Sequence, residues 1–130
     1  MAGKRDHTEF DVWLLSDAVR RKVRVVIARP AFRLELDLYG QLKRAAEGPC
    51  AHIAEGFSRY FPRDFARFVR IAKGSLSEVI VHIGSARDKG LATEAEFKDI
   101  CSHARRARGA ATGLIRYLET AKRPDEEEEK

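Results

Sequence analysis

Residues 93–118 read TEAEFKDICSHARRARGAATGLIRYL, and they decide the fold class. Thr93 and Glu96 stand at capping-box spacing, in which the hydroxyl accepts from one free backbone N–H of the first turn and the carboxylate accepts from another. Behind that start signal Phe97, Ile100, Cys101, Ala104, Ala107, Ala111, Leu114 and Leu118 recur at near-heptad spacing, mostly in steps of three and four. That period puts the apolar groups on one face of a helix and the arginines between them on the other. Pro124 marks the stop, because proline pushes its predecessor out of helical geometry.

Working back from this helix, Gly90 ends the preceding one. The third helix spans Pro62 to Lys89, opening on a proline suited to a first helical position. Its expected buried stripe is Phe65, Phe68, Ala72, Leu76, Val79, Ile83 and Ala86. The second helix spans Asp37 to Ser58 and buries Leu42, Ala45, Ala46, Ile53, Ala54 and Phe57. Gly48-Pro49 interrupts it, and the missing N–H of Pro49 predicts a kink. The first helix spans Phe10 to Ala28, with Val12, Leu15, Val19, Val23 and Val26 on one face. Between the first two helices, PAFRLELDLYG (residues 30–40) alternates like a strand. A lone strand has nothing to pair with, so this stretch reads as an ordered connection. Four amphipathic helices joined by short turns predict an all-α, antiparallel up-down-up-down four-helix bundle. Residues 1–122 would form the bundle and 123–130 a disordered acidic tail.

The composition agrees. Of 130 residues, 44% are hydrophobic and 35% charged, which suits helices with one wet face each, and one core is all this length supports. Two cysteines make no secreted disulfide framework, the N-terminal MAGKRDHTEFD lacks the apolar centre of a signal peptide, and no run is apolar enough to span a membrane. A cytoplasmic protein is the expectation.

Catalytic and metal chemistry finds little footing. There is no phosphate-binding glycine loop of either common kind and no Gly-x-Ser-x-Gly. Lys73-Gly74-Ser75 sits inside a helical pattern, where Gly74, like Gly84, would simply permit close packing. No Glu-x-x-His occurs, as a di-iron bundle would require. Glu78 and His82 share a helix face, but one such pair cannot hold a dimetal centre. Cys50/His52 and Cys101/His103 are two residues apart, about 200° around a helix axis, so neither pair chelates one ion. Zinc would have to bridge helices two and four. The expectation is no enzyme activity, no metal and no cofactor.

Charge is the remaining signal. The net charge is +5, but RPDEEEEK at residues 123–130 holds two positive and five negative groups, so the preceding 122 residues carry +8. Such a body attracts polyanions, nucleic acid above all. The tail is either a solvated end or a competitor for that surface. Arg63, Arg67, Arg70 and Lys73 recur along one ridge of the third helix, which Lys43, Arg44 and Arg59 could extend, while Arg105, Arg106 and Arg108 add charge on the fourth. These first seven residues are the candidate nucleic-acid contacts. The plainer alternative is a set of solvated helix faces.

LKRAAEGPCAHIAEGFSR from Leu42, followed by DFARFVRIAKGSLSEV from Asp64, resembles the 23S ribosomal RNA intervening-sequence protein family. The matching positions are Gln41 to Ala46, then Ile53, Ala54, Glu55 and Gly56, then Phe65, Arg67, Phe68, Ile71, Ala72, Gly74, Ser75 and Glu78, with Asp11-Val12-Trp13 like the family's opening. The departures are Cys50-Ala51-His52 in place of Pro-Ser-Asn, with proline one place earlier at Pro49, and Phe61 in place of a capping serine. The resemblance implies an antiparallel bundle assembled as a homopentameric ring with a basic surface. It is also similar to the accessory variability protein of diversity-generating retroelements, which implies binding to RNA or DNA and to a reverse transcriptase. The Ala54-Glu55-Gly56 segment would serve subunit packing as readily as ligand contact. A protein-interaction scaffold whose basic face meets an acidic protein is the other reading of the same surface.

Overall fold

The computed structural model describes residues 4, 6–59 and 61–121. The described residues form four helices and no strand: α1 (Asp11–Ile27), α2 (Leu36–Phe57), α3 (Pro62–Asp88) and α4 (Glu94–Thr120). The expected tail, and the proline expected to stop the last helix, lie outside the described residues. Residues 30–40 contain no strand. A short 3-10 helix, Pro30–Leu34, buries Phe32 and leads into α2 at Leu36, one residue before the expected start. The alternation misleads here because Leu34 and Leu36 are exposed and only Leu38 turns inward.

α2 runs as one helix through Pro49, which is buried. Its neighbours Ala45, Ala46, Cys50 and Ile53 are buried too, so tertiary packing holds the helix together where one backbone bond is missing. α3 ends in a Schellman motif. Gly90 adopts φ 74°, the Leu91 N–H donates to the Ala86 carbonyl at 2.8 Å, and the Gly90 N–H donates to Arg87 at 2.9 Å.

Long-range bonds set the arrangement. Arg29 at the end of α1 reaches Glu96 at the start of α4, Lys22 reaches Asp99 at 2.6 Å, and Arg24 reaches Glu47 at 2.6 Å. α1 therefore runs antiparallel to both α2 and α4, and α3 packs against the other sides of α2 and α4. Inside, one cluster joins Val19, Val23, Leu42, Leu76, Ile83, Ile100 and Ala104, and a second joins Phe10, Ile53, Phe65, Val69, Ala111, Ile115 and Leu118. Buried alanines at the contacts keep the axes close. On the expected stripes Leu15, Ala54, Phe57, Phe68, Phe97 and Leu114 are only half-buried, while Val69 and Ile115 take fully inward positions.

The capping box forms as expected. Thr93 Oγ1 accepts from the Glu96 N–H at 3.1 Å, and Glu96 Oε1 accepts from the Thr93 N–H at 2.8 Å. The same carboxylate accepts two bonds from the Arg29 guanidinium, one at 2.8 Å. The Arg29 bonds, with the Thr93 N–H, hold its pKa down at about 2, against an ordinary 4.5. A depressed carboxylate stabilises the fold fully above its ordinary value and ceases to do so as pH falls through its folded one. Glu96→Gln is therefore expected to cost about 1 kcal/mol at pH 7, and the gap to the parent should close between about pH 4.5 and pH 2. Urea unfolding of both proteins across that range would check this.

Candidate nucleic-acid interface

Most cations of the first helix are already spoken for. Arg20 and Arg21 pair with Asp17, Lys22 with Asp99, Arg24 with Glu47 and Arg29 with Glu96. Around the α2–α3 turn the balance differs. Arg63 and Arg67 are exposed and form no ion pair among the described residues. The same holds for Arg116, and for Lys43, Arg44, Arg105 and Arg106 elsewhere on the surface, while Lys73 is half-buried and likewise forms no ion pair among the described residues.

Phe68 gives this end its structure. It leaves the buried stripe because Val69 occupies the inward position, and its ring sits at the α2–α3 seam. The Arg67 guanidinium lies 4.9 Å from the ring centroid, the Arg59 guanidinium 5.0 Å, and the His52 ring 6.3 Å. Cation–π attraction at such distances orders long side chains that solvent would otherwise leave mobile. Arg59 also bonds Glu55 Oε1 one turn earlier at 2.9 Å.

The expected ridge is divided by the structure. Arg59 and Arg67 gather on the Phe68 ring with Arg63 one turn before, whereas Arg70 and Lys73 turn toward α4. Lys43 opens instead onto the α1–α2 groove, among Arg24, Ile27, Ala28, Tyr39 and Glu47, with its ammonium 5.9 Å from the Tyr39 ring. Lys43 and Arg44 lie roughly 24 Å along the α2 axis from Arg59, by the rise of a helix, so they do not extend the ridge.

Around the far side of α3 the chain opens a cleft of about 510 Å³ against α4, lined by Arg70, Lys73, Gly74, Ser77, Thr112, Ile115, Arg116 and Glu119. Arg70 pairs with Glu119 across it. The Ser77 and Thr112 hydroxyls donate to carbonyls one turn back, Lys73 at 3.3 Å and Arg108 at 3.1 Å. Gly74 is not a packing glycine, contrary to expectation, since nothing lies within 4 Å of where its Cβ would stand. Gly84 does face a neighbour, Phe97, at 3.5 Å. Gly56 is the close-packed glycine, with Phe65 and Phe68 both 2.8 Å from its missing Cβ.

The family described as 23S rRNA-intervening sequence protein matches residues 8–113. The chain belongs to that family. No curated protein matches it. The intervening-sequence match spans all seven cations proposed from sequence, and it stops short of Arg116 and Glu119. Those two cleft residues escape sequence reading because the period of α4 gives its inward face but not which neighbour flanks it.

Other chemistry finds no site among the described residues. No group of three or more histidine, cysteine or acidic side chains converges to hold a metal. Cys50 is buried with its thiol 3.9 Å from the Trp13 carbonyl, and burial pushes its pKa up to about 11, so it stays a protonated thiol. Burial raises Cys101 as well. Cys50 lies against the Trp13 carbonyl of α1 and His52 beside Phe68 of α3, while His103 pairs with Asp99 on its own helix, so the two Cys-x-His pairs do not converge. No described helix is long and apolar enough to cross a membrane.

Proposed function

We propose that this intervening-sequence family member is a non-enzymatic nucleic-acid-binding protein of the cytoplasm, engaging RNA or DNA with little sequence preference. Arg59, Arg63 and Arg67 make the main contact, Arg70 and Lys73 meet the nucleic acid on the α4 side of α3, and Lys43 and Arg44 serve a second strand segment or a second site. The observation that carries this reading is the cluster of cations around Phe68, two of them ordered on its ring and lacking enough carboxylates to neutralise them. Neutralised phosphates release counterions, which gives salt-dependent, sequence-tolerant affinity. The half-buried Phe68 adds a face on which an unpaired base can stack.

As the family resemblance implies, the protein works as a homo-oligomer, a pentamer, and hands nucleic acid to a partner enzyme such as a reverse transcriptase. A ring would repeat the basic end in each subunit, so that weak individual sites act together.

The test is fluorescence anisotropy with structured RNA and duplex DNA over a salt series. Arg63→Gln/Arg67→Gln should weaken both, and should reduce the slope of log K against log salt by about 1.8 on duplex DNA if each arginine neutralises one phosphate. An absence of binding at low salt would reject the reading. It would leave the protein-interaction scaffold, which the exposure of Leu34 (90%) and Leu36 (69%) favours.

A further inference from the structure

We infer that the α3–α4 cleft is a discrete site for a phosphomonoester, the terminal phosphate of a nucleotide, separate from the face around Phe68. The inference deepens the nucleic-acid reading and rests on it for the nature of the ligand. Three cations, Arg70, Lys73 and Arg116, line the cleft with one carboxylate, Glu119, leaving a net +2. A phosphomonoester carries about −1.5 to −2 near neutral pH, whereas a backbone phosphodiester carries only one negative charge. The cleft therefore matches the end of a strand or a free nucleotide better than its middle.

Geometry points the same way. Arg70, Lys73, Gly74 and Ser77 fall on one flank of α3, and Thr112, Arg116 and Glu119 fall at four- and three-residue steps on the facing flank of α4. Lys73 and Arg116 are the two cleft cations without a carboxylate partner among the described residues, so their donors are available to an anion. Arg70 is held by Glu119, which keeps that guanidinium in place until a stronger anion competes for it. The floor is Ile115 and the bare backbone of Gly74, where no neighbour comes within 4 Å of a Cβ position. At about 510 Å³ the space exceeds a phosphate and falls within the usual range for small ligands, so the attached sugar and base can rest on that floor.

The experiment titrates adenosine monophosphate, with adenosine as the control, into isotope-labelled protein and follows backbone amide shifts. The monophosphate should move Gly74, Ser77 and Thr112, adenosine should not, and Lys73→Gln/Arg116→Gln should weaken the response roughly tenfold or more. Gly74→Leu, which fills open space on an exposed helix face, should block the site while leaving the fold intact. Glu119→Gln should tighten binding by freeing Arg70. No shifts with the monophosphate, or equal shifts with adenosine, would overturn the inference.

A parallel arm compares RNA of one sequence bearing a 5′-phosphate or a 5′-hydroxyl. A preference for the phosphate that disappears in Lys73→Gln/Arg116→Gln but survives in Arg63→Gln/Arg67→Gln identifies a strand end as the ligand. Monophosphate binding without that preference supports the site as one for a free nucleotide. If RNA fails to bind at all while the monophosphate still does, the nucleic-acid reading falls and the cleft stands.

Discussion

Phe65→Ala is expected to lower the unfolding free energy by about 3–5 kcal/mol, the range for removing a large buried aromatic ring. Phe65 is 1% exposed and sits where α1, α2 and α3 converge. Its ring meets Phe10 edge-on with centroids 5.5 Å apart and Phe57 at 6.0 Å, and its Cδ1 closes against the backbone of Gly56. Those neighbours come from the end of α2 and the turn before α1, and they cannot all move in to fill the void, so the cavity persists. Urea unfolding should show the loss as a lower midpoint with little change in slope. Ile71→Ala, on the outer face of the same helix at 41% exposure, should cost within about 0.5 kcal/mol, as surface changes do. A loss below 1 kcal/mol at Phe65 would mean that this end of the bundle is loosely packed.

The helices themselves are legible in the sequence because an apolar face repeats at helical spacing and because the chain punctuates its own ends. Thr93-Glu96, Pro62 and Gly90 each act as their chemistry dictates. Errors fall where two neighbouring residues compete for one inward position. Phe68 and Val69 are both apolar, and only the approach of α2 settles that Val69 goes in while Phe68 stays at the seam. Leu114 and Ile115 show the same exchange on α4. Residues 30–40 mislead for a related reason, since a 3-10 helix has a tighter period and Pro30 opens it before α2 begins.

The candidate site is less legible than the fold. A single helix reveals which of its residues are wet, but not which helix stands beside them. Arg63, Arg67 and Arg70 can be named from spacing alone. The partition of Lys43 to the α1–α2 groove, the pairing of Arg70 with Glu119 and the convergence of Lys73 with Arg116 depend on how helices meet. Net charge likewise misstates the surface, because every cation of α1 is paired with a carboxylate, Arg20 and Arg21 sharing Asp17, while Arg63 and Arg67 near the α2–α3 turn have none among the described residues.

Gly56→Ala is expected to destabilise the protein by about 1–3 kcal/mol, the range for overpacking a well-filled contact, although alanine favours a helix over glycine by about 1 kcal/mol. The added Cβ would lie 2.8 Å from Phe65 Cδ1 and from Phe68 Cβ, and 3.3 Å from the Phe65 carbonyl oxygen. Phe68 Cβ and that oxygen are fixed to the α3 backbone, so a rotamer change cannot relieve the clash and the two helices must part. Gly74→Ala supplies the opposite sign, since open space surrounds that position and only the gain in helix propensity remains. The pair also decides what the Ala54-Glu55-Gly56 segment is for. If Gly56 serves packing within one chain, the stability lost in Gly56→Ala is independent of protein concentration and is smaller when measured in a Phe65→Leu background, where one of the groups it strikes is already trimmed. If it served contact between subunits, the loss would shrink as concentration rises, and it would be the same with Phe or Leu at position 65.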